Sequence, residues 1–303
     1  MKRYALMAGI FILGTAGCVP ADGMRQAGSG LLAATGLVSQ SQANTLTEGA
    51  AKFSDAVQEI TPEQEYYIGR TVGATILQSY PLYDNPVATQ YVNLLGQSVV
   101  KQAGAGDTFA GYHFALIDSS EVNAFAAPGG FIFATRGMLR LCKSEEMAAA
   151  VLAHEIAHVE LKHGMQAIKT SRLTSATSLL ASEGAKNMGS SQFHELTNLF
   201  GESIQDSVTK LVDTGYSRAT EVEADRLAVQ FLEASGYQPT ALISLLESMD
   251  KNGRSAGDIG FFKTHPAPLD RIHEIRTVSP NPATSAHPSA INPQRYLAAM
   301  KDV

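Results

Sequence analysis

The chain has 303 residues, 45% of them hydrophobic, and a formal net charge of −6. That is enough apolar material for one α-rich domain with appended segments, and an acidic chain with no Trp and no basic run argues against a nucleic-acid partner. Its two cysteines, Cys18 and Cys142, are too few for a disulfide framework.

The chain opens with a basic Met1-Lys2-Arg3 and an apolar stretch from Tyr4 to Ala16. That stretch is shorter than the roughly 20 residues a spanning helix needs, so residues 1–17 read as a signal peptide. Thr15-Ala16-Gly17-Cys18 resembles a bacterial lipobox, which implies cleavage before Cys18 and acylation of its thiol. Thr15 stands where leucine is commonest, which leaves a plain secretory signal as the alternative. Val19, where Asp would retain a lipoprotein, implies sorting to the outer membrane. With Cys18 acylated only Cys142 remains, a small packing residue with no disulfide partner. Residues 18–58, rich in Gly, Ala, Ser and Gln, read as a lipid-anchored tether. A folded domain is expected over 59–276, starting with Thr61 as N-cap and Pro62 in the first helical position.

Within that domain, Phe131-Ile132-Phe133-Ala134 follows Pro128-Gly129-Gly130 and reads as a strand, with Tyr112 to Ile117 as its neighbour. Ser144 is a good N-cap, Glu145 and Glu146 suit a first turn, and Met147 to Leu161 holds no Gly or Pro. His163-Gly164 supplies the expected stop. This helix carries His154-Glu155-Ile156-Ala157-His158. Residues four apart project from nearly the same face, so both imidazoles reach one tetrahedral metal ion, and Glu155 can act as general base on a metal-bound water. With 8 His in the chain, random placement gives about 0.01 such matches, and the competing reading is a pair of hydrogen-bonded core histidines.

Residues 165–216, rich in Ser, Thr, Ala and Gly, read as a helical insertion. Arg218 to Ala234 reads as a second helix, ended by Gly236 and Pro239. Its Glu221 and Asp225 are four apart: Glu221 can be the third metal ligand, and Asp225 can accept the free ring N–H of a ligating histidine. The alternative is an ordinary charged face paired to Arg218 and Arg226. Glu223 points elsewhere and is expected in solvent. Arg218 and Arg271 stand as candidate cations for a transition state. Thr264-His265-Pro266 is held extended by its proline. His113, His163, His194, His273 and His287 lack a partner pattern and read as structural or surface residues. Pro280, Pro282, Pro288 and Pro293 make 277–303 an irregular tail.

Four segments now resemble one family in the same order: Asn123 to Leu139, His154 to His158, Glu221 to Asp225, and Thr264 to Ile272. They are similar to the gluzincin zinc metallopeptidases of the HtpX and CAAX prenyl protease type, nearest the periplasmic branch typified by BepA, LoiP and YcaL. The resemblance implies an α+β, mostly α-helical, zincin-like peptidase domain with a small β-sheet packed on the active-site helix. It implies one Zn2+ per chain held by His154, His158 and Glu221, with Glu155 catalytic and Asp225 behind a ligand. By the same resemblance His265 is a reversible fourth ligand that shuts out water; stabilising the oxyanion is its alternative. Residues Asn123, Ala124, Phe125 and Ala126 either bind extended substrate by strand addition or only pack the sheet. The implied function is endopeptidase action on misfolded or misassembled outer-membrane or periplasmic polypeptides, from a periplasmic position anchored through Cys18. The alternative is an assembly factor for outer-membrane β-barrels, working with their assembly machinery, whose zinc site is largely plugged.

Overall fold

The computed structural model describes residues 60–106, 108–170, 215–253, 264–265, 268–278 and 293–303. The expected signal peptide, Cys18, the tether, most of the 165–216 insertion and residues 279–292 lie outside the described residues.

Helix α1 (Pro62–Ser79) begins with a reciprocal cap: Thr61 Oγ1 accepts the Gln64 N–H at 3.2 Å, and the Gln64 side chain accepts the Thr61 N–H at 3.0 Å. Helix α2 (Pro86–Ala103) starts on an Asn85 cap and ends at Gly104, whose φ of 63° suits glycine. Three strands follow: β1 (His113–Ile117), β2 (Ala124–Ala127) and β3 (Phe131–Thr135). Their order is β1-β3-β2, with β3 parallel to β1 and antiparallel to β2. β1 and β3 fall on the two expected strands, and β2 lies at the sheet's edge within 123–127.

Alternation along the strands separates two apolar clusters. Phe125 and Phe133, opposite each other in the register, face Val72 and Ile76 of α1 together with Met165 and Ile168. Phe114, Leu116, Ile132 and Ala134 face the other way, into the main core with α2 and the active-site helix. Gly69 lets α1 lie close: a Cβ there would sit 1.8 Å from the Pro128 carbonyl oxygen.

After the short α3 (Arg136–Leu141) comes α4 (Glu145–Glu160), with Ser144 Oγ accepting the Met147 N–H at 3.3 Å. From Met147 to Val159 every α4 residue is buried, as a helix apolar on all sides requires. Its alanines let neighbouring helices approach, while Leu152 and Ile156 each contribute about 2 kcal/mol by burial. The helix stops one turn earlier than His163-Gly164 suggests. Lys162 takes φ 55°, and residues 163–170 are helical again. Gly164 is there for space, since a Cβ would meet Pro128 Cγ at 3.3 Å.

Helix α5 (Arg218–Ala234) spans the expected range from a Ser217 cap, with Gly236 at φ 79° beyond its end. Then follow α6 (Thr240–Gly253), α7 (Pro268–Val278) and α8 (Pro293–Ala299). α8 corrects the expectation of an irregular tail over 277–303. Proline breaks a helix interior but is well placed at its first position, which is where Pro293 stands. The buried Tyr296 then donates its hydroxyl to the Leu139 carbonyl at 3.0 Å. Arg295 pairs with Glu145 at the start of α4. The fold is thus mostly helical with a small sheet packed on α4. Among the described residues no helix is long and apolar enough to cross a membrane.

Candidate metal centre

α4 and α5 pack against each other, and that contact brings the motif residues together. His154 and His158 project one turn apart from α4 toward Glu221 in the first turn of α5. His154, His158, Glu221 and His265 each have one donor atom within 4.8 Å of the others, and all four are buried. The two Nε2 atoms of His154 and His158 are 3.1 Å apart. Glu221 lies 3.4 Å from each of them through its two oxygens. His265 Nδ1 stands 3.3 Å from His154 Nε2 and 3.0 Å from both Glu221 oxygens.

These spacings fit a metal ion. A tetrahedral zinc with bonds of about 2.0–2.1 Å sets its donors roughly 3.4 Å apart. The donor chemistry agrees. His154 Nδ1 hydrogen-bonds Asp225 Oδ1 at 3.0 Å, which turns the Nε2 lone pair into the cluster. Imidazole nitrogens and a carboxylate that converge in a buried site favour a cation between them, and the donor spacing suits a metal ion.

The surrounding charges are arranged to hold that set. Burial would raise the Glu221 pKa, but His265 and Arg271 outweigh it and keep the carboxylate well below its usual range. Asp225 is likewise lowered against its burial, by Arg271. The Arg271 guanidinium is fully buried and grips both Asp225 oxygens at 2.7 Å, with Nη1 3.0 Å from Glu221. Burial and Arg271 push His154 down, yet Asp225 and Glu221 lift it to about 9, while burial takes His158 down to about 3. Glu155 is different: it is fully buried, neither oxygen accepts a hydrogen bond from the described residues, and burial raises its pKa. His265 Nε2 lies 3.7 Å from its Oε1.

The structure gathers the motif residues named from sequence: His154, Glu155, His158, Glu221, Asp225 and His265. Asn123 immediately precedes β2 beside them. It is 2% exposed, and its Oδ1 accepts from the Thr264 hydroxyl at 3.0 Å, next to His265. Ala124 and Phe125 are buried and Ala126 is half-buried. Arg218 is removed from the candidates: 60% exposed, it pairs with Asp270 at 3.1 Å. Cys142 is buried, as a packing residue should be.

Three participants escaped the sequence reading. Arg271 is a clamp on the carboxylates, where only a free cation was considered. Tyr216 stacks on His158 with ring centroids 4.3 Å apart, at the end of a segment of weak pattern. His163, expected as a structural or surface residue without a partner, is buried at 3% exposed with Nδ1 3.0 Å from His158 Nδ1. Its spacing of five from His158, just past a helix end, was the available signal. Glu223 is 64% exposed, as expected, but its Oε2 lies 3.5 Å from His163 Nε2.

Comparisons with known proteins agree with this geometry. The model of Peptidase family M48 matches residues 86–279. The beta-barrel assembly-enhancing protease of Escherichia coli (strain K12) is 30% identical over 241 residues, covering 77% of this chain and 46% of its own length. Metalloprotease LoiP of the same organism is 27% identical over 281 residues, covering 91% of this chain and 96% of its own length. The mitochondrial metalloendopeptidase OMA1 of Schizosaccharomyces pombe is 31% identical over 188 residues, covering 62% of this chain and 52% of its own. The chain spans about half the length of the beta-barrel assembly-enhancing proteases it matches.

Proposed function

The chain belongs to peptidase family M48, and from its site we propose that it is a zinc-dependent endopeptidase of the bacterial envelope. The observation that carries this reading is Glu155: a buried carboxylate that accepts no hydrogen bond among the described residues, one residue from a ligand in a four-donor metal set. His154, His158 and Glu221 would hold the ion, with Asp225 fixing the tautomer of His154. When bound, zinc supplies Lewis acidity to the scissile carbonyl and to water. Glu155 takes the proton from the attacking water and returns it to the leaving amine nitrogen. Its burial, which raises its proton affinity, suits both halves of that transfer. Asn123, Ala124, Phe125 and Ala126 orient an extended substrate along the side of β2 opposite β3 by strand addition.

His265 acts as a reversible fourth ligand that keeps water out at rest; its 3.0 Å approach to Glu221 supports this. The same observation favours a second reading, an assembly factor for outer-membrane β-barrels whose site is largely shut. The substrates proposed are misfolded or misassembled outer-membrane or periplasmic proteins, a class suggested by the relative named for β-barrel assembly. An anchor at Cys18 would hold the chain to the outer membrane from the periplasmic side.

Purified protein should contain one zinc per chain and cleave casein slowly. Glu155→Gln should retain zinc and lose cleavage, and His265→Ala should raise the rate. Undiminished cleavage by Glu155→Gln refutes the mechanism. A cellular assembly defect restored by Glu155→Gln protein would favour the second reading.

A further inference from the structure

The two histidine ligands have unlike outer partners. His154 leans on the Asp225 carboxylate, itself gripped by Arg271. His158 leans on another imidazole, His163, and its ring face is covered by Tyr216. The His158 and His163 rings meet edge to face, with centroids 5.0 Å apart and planes at 72°. His163 reaches this place because the chain breaks at Lys162 and restarts as a helix, which turns its ring back toward α4.

Two Nδ1 atoms 3.0 Å apart share one proton. If the proton is on His158 Nδ1, the His158 Nε2 lone pair is available to a metal. His163 then accepts at Nδ1 and carries its own proton on Nε2, pointing at the Glu223 carboxylate 3.5 Å away. The reverse arrangement puts a proton on His158 Nε2, where a metal has to bind. It also turns the bare Nε2 lone pair of His163 toward an anion. Among the described residues Nε2 is buried without a hydrogen bond, so the field of Glu223 is what distinguishes its two states. α5 therefore acts on His158 from two sides, through Glu221 at the metal and through Glu223 by way of His163.

We propose that His163 is a positioning residue that holds His158 in its metal-binding tautomer, with Glu223 biasing His163 toward the acceptor state. The proposal rests on the metal-centre reading above and names the group that tunes one ligand of that centre.

The test is metal affinity of the full chain, measured by titrating metal-free protein with Zn2+ and Co2+ against a chromophoric chelator. His163→Leu removes the acceptor and should raise the metal Kd about 10–100-fold. His163→Asn keeps an acceptor near the position of Nδ1 and should stay within about threefold of wild type, as a preserved hydrogen bond implies. Glu223→Gln removes only an exposed, solvent-screened charge and should cost about threefold. An unchanged Kd for His163→Leu overturns the proposal, as does a His163→Asn no better than His163→Leu. Should His163→Leu not fold, 15N-imidazole spectra of metal-loaded wild type decide: Nε2–H on His163 is expected, and Nδ1–H overturns it. Wild type that takes up no metal overturns the metal-centre reading as well, whereas normal uptake with a silent His163→Leu refutes the positioning role alone.

Discussion

Arg271 offers the sharpest quantitative test, because its guanidinium is 0% exposed and contacts two carboxylates that are themselves 0% and 1% exposed. Arg271→Ala leaves both Asp225 and Glu221 without their shared cation. Removing one partner of a buried ion pair costs about 3–5 kcal/mol, since the remaining charge has been taken out of water with nothing to offset it. For a domain of this size each kcal/mol moves Tm by about 2–4 °C, so metal-free Arg271→Ala should melt roughly 6–20 °C below wild type. Bound metal changes the balance, because it adds positive charge beside Glu221 and binds only the folded state. At 100 times its Kd an ion adds about 2.7 kcal/mol to either protein, so the deficit should shrink by the amount by which the uncompensated Glu221 carboxylate makes the variant bind metal more tightly. Arg271→Lys should fall between, since one ammonium cannot span both Asp225 oxygens and Glu221. The assay is thermal unfolding by circular dichroism with EDTA and with excess Zn2+. A metal-free Arg271→Ala that melts within 2 °C of wild type, or a deficit identical with and without metal, would refute the reasoning.

Other outcomes follow from the same distances. His154→Ala or Glu221→Ala should lose zinc and proteolysis together, whereas Asp225→Asn should keep zinc with about 10–100-fold weaker affinity, as read by chelator competition. Glu145 is buried at the start of α4, and although burial alone would raise its pKa, hydrogen bonds from Arg295, Tyr91 and Tyr237 lower it. Its contribution is complete above the unfolded value of about 4.3 and is lost as pH falls through the lower folded value. Glu145→Gln should therefore destabilise by about 2 kcal/mol at pH 7 in urea titrations, and the difference should vanish in acid. Burial pushes the Cys142 thiol up to about 12, so iodoacetamide should label Cys142 only when denaturant opens the core; rapid labelling of native protein would contradict its packing.

What could be read in the sequence was what sits at short range. A pattern of His154, Glu155 and His158 carries its own geometry, because helical rise and turn are fixed by the backbone alone. The Ser144 cap and the apolar run after Met147 placed α4, and the run from Arg218 to the Gly236 and Pro239 stop placed α5, each within a turn of where it is found. Family resemblance then supplied the pairing of α4 with α5, which no local pattern encodes. What escaped depends on how the chain turns between elements. His163 became a partner of His158 because Lys162 adopts a left-handed conformation, and neither residue announces this in composition. Arg271 was visible as a charge, but its burial on Asp225 depends on where α7 lies against α5. Pro293 was misread for a related reason: a proline cluster signals irregular chain, while the position of each proline within a turn decides whether it breaks a helix or begins one.

The misses share a physical origin that bears on the mechanism. A buried site needs its donors arranged and its charges balanced, and only the first requirement leaves a compact motif. The balance is supplied from separate elements: Arg271 from α7, Glu223 from α5, His163 from just before the insertion and Tyr216 from its end. These groups act on the ligands from outside, Glu223 by way of His163 and the others directly, so each can change without erasing the motif, and each should alter affinity more gently than a ligand does. The graded order expected from this is loss of metal at His154, His158 or Glu221, then weakening at Asp225 and His163, then a slight effect at Glu223. Chelator competition across that series measures the gradient directly. A His163→Leu variant as damaging as His158→Ala would mean that the outer groups form part of the binding set itself, and the separation argued here between holding the metal and tuning its ligands would fail.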